Sequence, residues 1–429
     1  MNLRNLNIKA YYSKFGMDVF WNIASLAILA FGGIFINLII IRWRGAEVLG
    51  VFNQVYAIYI FLSQIGVGGL QFSVLKHISY HTDDLKLCSD ITASALILVT
   101  ILTILMGVVC GFLAAPIGAL LKSPGVIIGL WMIIPGLLFF ALNKVLINVL
   151  NGLSQMRAYA VFRSLRYIFL PLSIVVIILL KMPDPYIALS LTITEILLFF
   201  GLVIYINIRL FPLWGTSNRQ AWFSEHISFG IRGALSGILI ELNTRVDVLM
   251  LGYFSTDAVV GIYSFVSTLA EGFGQIPFAV RWNVDPILGK YFSEGTVEKI
   301  SDLAKKIRRL FYPLMGVMGV AVILLYPVGY ALLVKDSSLV ISWITFSIIM
   351  IGVIINSGYR PFTGILLQGG RPGAYTLFYV GLVLNDALLN LFFIPYYGIY
   401  GAAGVTALTY VLEAVVLVIM ARKLFNVRL

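Results

Sequence analysis

One arginine and two acids lie in the middle of a long apolar stretch, residues 231–254. Arg245 follows Glu241 by four residues, so on a helix the two side chains share one face in the order that favours pairing. Asp247 comes two residues later and points elsewhere. An ionised side chain at bilayer depth costs at least about 2.5 kcal/mol on insertion scales. We therefore expect a polar or water-filled centre here, with a structural Glu241–Arg245 pair as the alternative interpretation.

Four more cations form two pairs at corresponding positions of the two sequence halves. Lys144 corresponds to Arg360, and Lys76 corresponds to Arg281. All four lie toward the predicted inner ends of apolar segments, where snorkelling to the interface would explain each one by itself. Because Arg and Lys are well suited to phosphate, we expect these four and Arg245 to bind an anionic headgroup.

Acidic residues in apolar segments are candidates for binding a coupling ion. We assign this role to Glu241, Asp247 and Glu271, with either a proton or sodium as the ion. Pairing with a buried polar group explains an acid at this depth equally well. Three further acids lie in apolar segments: Glu195, Asp386 and Glu413.

The composition is that of a membrane protein. Of the 429 residues, 60% are hydrophobic and only 11% are charged, and the mean hydropathy is +0.97. A soluble fold cannot hide so much apolar surface, which excludes ordinary soluble, disordered, fibrous and disulfide-rich classes. The net charge of +11 is explained by basic cytoplasmic loops, and we expect no nucleic-acid partner.

Apolar runs of span length follow one another along the whole chain. At about 20 residues per span, they predict an all-α integral membrane protein with about twelve transmembrane helices. The segment 160–180 is the weakest because Arg163 and Arg166 lie in its first turns. The predicted spans are 18–41, 49–75, 90–114, 126–150, 160–180, 186–207, 231–254, 259–284, 311–334, 339–360, 373–395 and 398–421.

The distribution of basic residues predicts the orientation. If the N-terminus is inside, the cytoplasmic segments hold 21 Lys and Arg residues and the outer loops hold 5. The positive-inside rule then places both termini in the cytoplasm. No outer loop exceeds about a dozen residues, so we expect no external domain.

An internal repeat predicts two lobes, residues 1–215 and 216–429, with six helices each around a central cavity. Lys144 and Arg360 match at an offset of 216, as do Ala158-Tyr159 and Ala374-Tyr375. Residues 47–52 after the first span also resemble residues 258–263 after the seventh.

Chemistry that would make the chain an enzyme is not apparent in the sequence. There is no G-x-x-x-x-G-K-[ST] loop for a nucleotide and no nucleophile with a base nearby. His77 and His81 lie one helical turn apart without a third metal ligand near them. We predict no cofactor, no metal and no enzymatic activity.

The stretch Arg42-x-x-Gly45-x-Glu47-x-x-Gly50 resembles the signature of polysaccharide repeat-unit flippases of the Wzx type. These belong to the multidrug/oligosaccharidyl-lipid/polysaccharide exporter superfamily. Residues 247–252 with Gly261-Ile-Tyr263, and residues 385–395 followed by Gly398-Ile-Tyr-Gly401, are similar to the same family. The likeness covers nearly the whole chain in order.

The resemblance implies a flippase that moves an undecaprenyl-pyrophosphate-linked oligosaccharide, such as an O-antigen repeat unit, to the periplasmic leaflet of the bacterial inner membrane. It implies alternating access, ion coupling, and a polymerase and chain-length regulator as pathway partners. In this family, spans one, two, seven and eight line the cavity, which favours Lys76, Arg245 and Arg281. The first span here has no cation at mid-depth, so binding would depend on the second half.

Two other functions stay open. A multidrug antiporter of the same fold would use acids that are not matched by bases in the cavity. A polyprenyl-sugar-dependent transferase or polymerase would need external carboxylates and a long outer loop, which the sequence lacks. A scaffold subunit without transport is the residual possibility.

Overall fold

The computed structural model describes residues 8–214, 222–230, 245–334 and 337–429. Nearly all of these residues are helical, and the described part of the chain contains no β-strand. The all-α membrane fold predicted from the sequence is confirmed. Glu241, one of the predicted coupling residues, lies outside the described residues.

The helices of the first half begin with one of double length. They are α1 (Ile8–Val67), α2 (Leu70–Tyr80), α3 (Leu85–Leu120), α4 (Pro124–Gly152), α5 (Met156–Leu179) and α6 (Leu189–Arg209). A 3₁₀ turn (Asp184–Ala188) leads into α6.

The second half ends with another helix of double length. It contains α7 (222–230), α8 (Val246–Phe254), α9 (Asp257–Ser293), α10 (Glu298–Leu333), α11 (Leu339–Asn356), α12 (Ile365–Gln368) and α13 (Pro372–Phe425). A 3₁₀ turn (Arg360–Phe362) precedes α12.

Glycines allow the two long helices to bend between spans. Gly45 in α1 has φ +87° and Gly398 in α13 has φ +53°. Residues other than glycine rarely adopt these backbone conformations. Each bend lies between two predicted spans, so one continuous helix supplies both. Gly45 belongs to the signature after the first span. The positive φ at the bend explains why glycine occupies this position.

Eight of the described helical segments are long and apolar enough to cross a membrane. Because α1 and α13 each cover two predicted spans, these eight account for ten of the twelve. The predicted span 259–284 lies within α9, and 231–254 lies mostly outside the described residues.

The chain forms two compact units. Unit 1 comprises Met1–Ile36, Ile58–Gly118 and Pro124–Ile238, and unit 2 comprises Asn37–Ala57, Ala119–Ser123 and Leu239–Leu429. Unit 1 packs around buried side chains from α2 to α6, such as Ile78, Ile91 and Leu146. The division into lobes 1–215 and 216–429 stays a prediction.

Two short segments of the first sequence half belong to unit 2, and glycines hold one of them there. A Cβ built on Gly50 would lie 1.8 Å from the Asp257 carbonyl oxygen, and one on Gly261 would lie 1.8 Å from the Ala46 carbonyl oxygen. The contact is reciprocal, since each glycine faces the residue four positions before the other. We call this contact between α1 and α9 the glycine crossing.

Asp257, the first residue of α9, ties together three chain segments beside the glycine crossing. Its carboxylate accepts hydrogen bonds from Gln54 Nε2 at 2.6 Å and from Ser123 Oγ at 2.7 Å. Ser123 lies between α3 and α4. All three residues lie on the side that the charge pattern predicts to be periplasmic.

Candidate functional site in the membrane-spanning units

Arg245 immediately precedes α8 in unit 2. Its guanidinium carbon lies 5.1 Å from the centre of the Tyr56 ring of α1, within cation–π range. Arg245 also interacts electrostatically with Asp247 and Glu271. The predicted pairing of Arg245 with Glu241 involves a residue that lies outside the described ones.

Asp247 is hydrogen-bonded within α8 and to Tyr263 of α9, and Tyr263 in turn contacts α13. Tyr263 of α9 donates its hydroxyl proton to Asp247 Oδ2 over 2.5 Å, and the same hydroxyl oxygen lies 2.7 Å from Thr406 Oγ1 of α13. The backbone N–H of Val248 donates to Asp247 Oδ1 at 2.8 Å. The carboxylate is therefore held in one position by α8, α9 and α13.

A second acid, Asp386 of α13, lies within electrostatic range of Asp247. Thr409 Oγ1 donates to one carboxylate oxygen at 2.9 Å, and Asn390 Nδ2 donates to the other at 3.1 Å. Asp386 is only 5% exposed. The two carboxyl groups with their hydroxyl neighbours form an oxygen-rich cluster, which we call the acid pair.

Two of the predicted phosphate ligands, Arg281 and Arg360, contact the ring of the same phenylalanine. The guanidinium carbons of Arg281 and Arg360 lie 5.7 and 5.8 Å from the centre of the Phe278 ring. Arg281 forms an ion pair with Asp285 at 3.1 Å and interacts electrostatically with Tyr375. We call Arg281, Phe278 and Arg360 the arginine cluster.

Arg360 keeps a buried donor available. Its guanidinium interacts electrostatically with Tyr410, Glu271 and Glu413, yet its Nη1 is buried without a hydrogen-bond partner among the described residues. A Cβ on Gly274 would lie 2.8 Å from this nitrogen, so the glycine allows the guanidinium to pack closely against α9. An unpaired buried donor is costly, which marks Nη1 as a place for an acceptor.

Glu271 of α9 interacts with both Arg245 and Arg360 and also with Asp247. It therefore links the arginine cluster to the acid pair electrostatically. The structure brings five predicted site residues together in unit 2: Arg245, Arg281, Arg360, Asp247 and Glu271.

Lys144 of α4 lies in unit 1. Its Nζ donates to Gln64 Oε1 at 2.7 Å and to Ser63 Oγ at 3.2 Å, and it lies 4.6 Å from the centre of the Phe140 ring. This environment is polar and partly buried, as expected for a cation that does not face lipid.

Lys76 of α2 also lies in unit 1, but apart from these contacts of Lys144. Its Nζ is 5.0 Å from the centre of the Phe229 ring of α7 and 5.9 Å from that of Tyr80. His77 and His81 likewise pack against Trp222 of α7. Among the described residues, no group of three or more His, Cys, Asp or Glu side chains could hold a metal ion.

One buried ion pair was missed by the sequence reasoning. Arg166 of α5 donates from Nε to Glu195 Oε1 at 2.6 Å and from Nη2 to Oε2 at 3.1 Å, and Asn143 donates to Oε2 at 2.8 Å. The sequence placed Arg166 in the first turns of the predicted span 160–180 and counted it among the cytoplasmic cations, without a partner. The available signal was Glu195, an acid within a span that required a partner.

Comparison with known proteins places this arrangement in a family. A model of the polysaccharide biosynthesis protein family matches residues 16–272. No curated protein matches the chain.

Solved structures of transporters share the fold at low sequence identity. The lipid II flippase MurJ, in an inward closed conformation, aligns with a TM-score of 0.76 and 15% identity, covering 94% of this chain and 87% of that one. An inward-facing multidrug resistance MATE transporter aligns with a TM-score of 0.70 and 13% identity, covering 93% and 94%. A Pyrococcus furiosus transporter with a binding pocket of reverse polarity gives a TM-score of 0.58 and 13% identity, covering 95% and 93%.

The helices and these alignments define a multi-pass membrane protein with the fold of the multidrug/oligosaccharidyl-lipid/polysaccharide exporter superfamily. The family model covers more than half of the chain, so the chain belongs to the polysaccharide biosynthesis protein family. The resemblance to polysaccharide flippases that the sequence shows after the first span agrees with this family, and the Wzx type stays a prediction.

Proposed function

We propose that this protein is a flippase that moves an undecaprenyl-pyrophosphate-linked oligosaccharide repeat unit from the cytoplasmic to the periplasmic leaflet of the bacterial inner membrane. Both termini would be cytoplasmic, and the polymerase and chain-length regulator of the same pathway would be its partners. The observation that carries the proposal is the arginine cluster, in which the buried Arg360 Nη1 has no hydrogen-bond partner within the described part of the chain.

The arginine cluster fits a diphosphate better than a neutral or cationic ligand. A guanidinium presents several N–H groups in a plane and binds phosphate oxygens through paired hydrogen bonds. Phe278 and the two tyrosines restrict the arginine side chains before any ligand arrives, which reduces the entropy cost of binding. Arg245, Lys76 and Lys144 are proposed as further contacts along the path of the substrate.

Ion coupling is proposed to reside in the acid pair. Two carboxyl groups within electrostatic range of each other in a low-dielectric interior repel when both are ionised, so binding a proton or a sodium ion between them would be favourable. The hydroxyls of Tyr263 and Thr406 supply additional oxygen atoms for such an ion. Glu271 would transmit the charge change to Arg245 and Arg360.

Alternating access requires the outer side to open and close. The glycine crossing and the hydrogen bonds to Asp257 hold residues 46–57 and Ser123 against α9 on the predicted periplasmic side. We propose that these contacts form when the outer side is closed and separate when the substrate is released. This role would explain why the signature after the first span ends in Gly50.

The multidrug antiporter is the competing function, and the acid pair is the observation that favours it. A cationic compound would seek carboxylates without basic partners. Most acids in the spans have a partner, however: Glu195 binds Arg166, and Glu413 accepts from Asn356 at 2.5 Å. The arginine cluster would repel a cation, so we place the flippase first.

Reconstituted vesicles can test both functions together. A fluorescent polyprenyl-diphosphate oligosaccharide is followed by its accessibility to a membrane-impermeant quencher, and a cationic dye is followed in parallel. We expect wild-type protein to translocate the lipid-linked sugar and Arg245→Ala to abolish translocation while the protein still inserts. Dye export without sugar-lipid translocation would overturn the flippase assignment.

The same vesicles test the coupling ion. The proton gradient and the sodium gradient are collapsed separately. We expect translocation to slow only when the gradient of the coupling ion is removed. Translocation that continues unchanged after both gradients are collapsed would remove Glu241, Asp247 and Glu271 from the coupling role.

A further inference from the structure

Helix α10 is longer than a membrane span. Its 36 residues, Glu298–Leu333, correspond to about 54 Å at about 1.5 Å per residue. The hydrocarbon core of a bilayer is only about 30 Å thick. A substantial part of the helix must therefore lie outside the hydrocarbon. The predicted span at 311–334 covers the later part of α10, so the part outside the hydrocarbon is its beginning.

The first turns of α10 have one buried face and one basic face. Ile300 and Ala304 are fully buried in the core of unit 2, and Arg308 turns toward the protein to donate to the Tyr359 hydroxyl at 3.2 Å. Four other cations on these turns are exposed: Lys299, Lys305, Lys306 and Arg309. We call these four side chains the basic face.

None of the basic-face side chains forms an ion pair within the part of the chain that the structure describes. The acids exposed on the same turns are Glu298 and Asp302, so the basic face keeps a net positive charge. Lys299 makes one further contact, with its Nζ 5.8 Å from the centre of the Tyr291 ring. The other three cations extend from the surface.

The basic face ends abruptly where lipid contact begins. Leu310, the residue after Arg309, is 65% exposed, and Val317 two turns later is 73% exposed. Exposed aliphatic side chains on a membrane helix mark the hydrocarbon, so the cations directly before them lie at the depth of the lipid headgroups. This continuity favours lipid over an acidic protein as the occupant, since a protein partner would not require the adjoining aliphatic surface.

We propose that the basic face of α10 binds anionic phospholipid headgroups of the adjacent leaflet, which the charge pattern predicts to be the cytoplasmic one. Clusters of Lys and Arg next to a span attract anionic lipids, and the attraction weakens within about a Debye length. The site would hold annular anionic lipids against unit 2. It is independent of the substrate that the protein transports.

Lipid retention measured by native mass spectrometry tests this proposal directly. The purified protein is equilibrated with phosphatidylglycerol and phosphatidylcholine in equal amounts, and the bound lipids are counted. We expect wild type to retain phosphatidylglycerol preferentially and Lys305→Gln/Lys306→Gln/Arg309→Gln to lose most of that preference, a decrease of at least about tenfold in relative affinity for three charges. Raising the salt concentration should reduce the wild-type preference in the same direction.

Two control variants separate this site from a general effect of charge. The charge-conserving Lys305→Arg/Lys306→Arg/Arg309→Lys should retain the preference. Lys86→Gln/Lys122→Gln/Lys181→Gln removes three exposed cations from elsewhere and should also leave it unchanged. Equal phosphatidylglycerol retention by wild type and the glutamine variant of the basic face would overturn the proposal and make an acidic protein partner the better candidate.

Discussion

At the scale of single residues, buried charges in this protein are held by specific partners. Glu195 is 3% exposed and accepts hydrogen bonds from both Arg166 and Asn143. Arg281 and Arg360 contact one shared phenylalanine ring, and Arg281 also pairs with Asp285. Burying a charge costs free energy unless a partner compensates it. The partners of these residues therefore explain how the fold can bury their charges.

Removing one member of the buried pair should destabilise unit 1. Glu195→Gln would leave Arg166 with an uncompensated charge, and we expect a loss of about 3 kcal/mol in the free energy of unfolding. Thermal unfolding of the detergent-solubilised protein measures this as a lower Tm.

The exposed pair of Lys290 and Glu294 provides the matched control. Their charged atoms are 3.7 Å apart, with side chains that are 69% and 42% exposed. Glu294→Gln should change stability by less than about 0.5 kcal/mol. Equal Tm values for Glu195→Gln and Glu294→Gln would mean that the buried pair contributes no more than a surface pair.

At the scale of helices, two contacts outside the arginine cluster determine how elements can move. The glycine crossing brings α1 and α9 closer than any larger side chain would permit. On the predicted cytoplasmic side, α7 packs against α2 and α3 through His226, whose Nδ1 lies 2.8 Å from Ser73 Oγ and whose Nε2 lies 2.9 Å from the Ile91 carbonyl oxygen.

A cross-link at the glycine crossing should stop transport. In a Gln54→Cys/Asp257→Cys variant, a short, cleavable thiol cross-linker would prevent α1 and α9 from separating, so we expect translocation to cease on cross-linking and to return on cleavage. The native Cys88 and Cys110 are buried and should not interfere. As a control, a Lys290→Cys/Glu294→Cys pair within α9 should cross-link without any effect on transport. If fully cross-linked Gln54→Cys/Asp257→Cys protein transports as well as before, the glycine crossing does not open during transport.

The docking of α7 should depend on pH through His226. Burial lowers the pKa of His226 to about 4, and repulsion from His77 adds to this, while the hydrogen bond to Ile91 and the nearby Glu225 oppose it. The unfolded chain takes up a proton near pH 6.5, but the folded protein does so only near pH 4. Stability is therefore complete above about pH 6.5 and decreases as the pH falls toward 4, by about 3 kcal/mol in total.

Tm measured from pH 7.5 to pH 4 checks this effect. We expect the wild-type Tm to fall more steeply below pH 6.5 than that of His226→Gln, because the variant has no imidazole to protonate. His77, whose pKa is also lowered by burial, acts in the same direction and remains in both proteins. Parallel Tm profiles for the two proteins would exclude His226 as the cause.

The sequence predicts those features of the structure that depend on residues close together in the chain. Hydropathy is local, so the spans and the all-α membrane class follow from it directly. The ion pair between Arg166 and Glu195 joins α5 to α6 across 29 positions, and the bonds of Asp257 to Gln54 and Ser123 join segments that are even more distant. A single sequence can show that a buried acid such as Glu195 needs a partner, but it does not identify the partner, because helix packing rather than spacing brings the two together.

At the scale of the whole molecule, the proposed flippase function depends on the arginine cluster of unit 2 as the binding site for a lipid-linked diphosphate. The membrane fold supplies the low-dielectric surroundings that strengthen such contacts. In the proposed mechanism, the acid pair and Glu271 couple the site to an ion gradient, and the glycine crossing is the contact that opens on the outer side. If the arginine cluster does not bind a diphosphate, the acid pair, Glu271 and the glycine crossing do not by themselves support a flippase function.

The most direct measurement is the affinity of the reconstituted protein for a short-chain polyprenyl diphosphate. Loss of two charge-assisted contacts in Arg281→Ala/Arg360→Ala should raise the Kd at least about tenfold, and Lys76→Ala with Arg281→Ala should also weaken binding. Arg422→Ala/Lys423→Ala, which removes two exposed cations of α13, should bind as the wild type does. A Kd that is unchanged in Arg281→Ala/Arg360→Ala would contradict the account, because the diphosphate would then bind elsewhere or not at all.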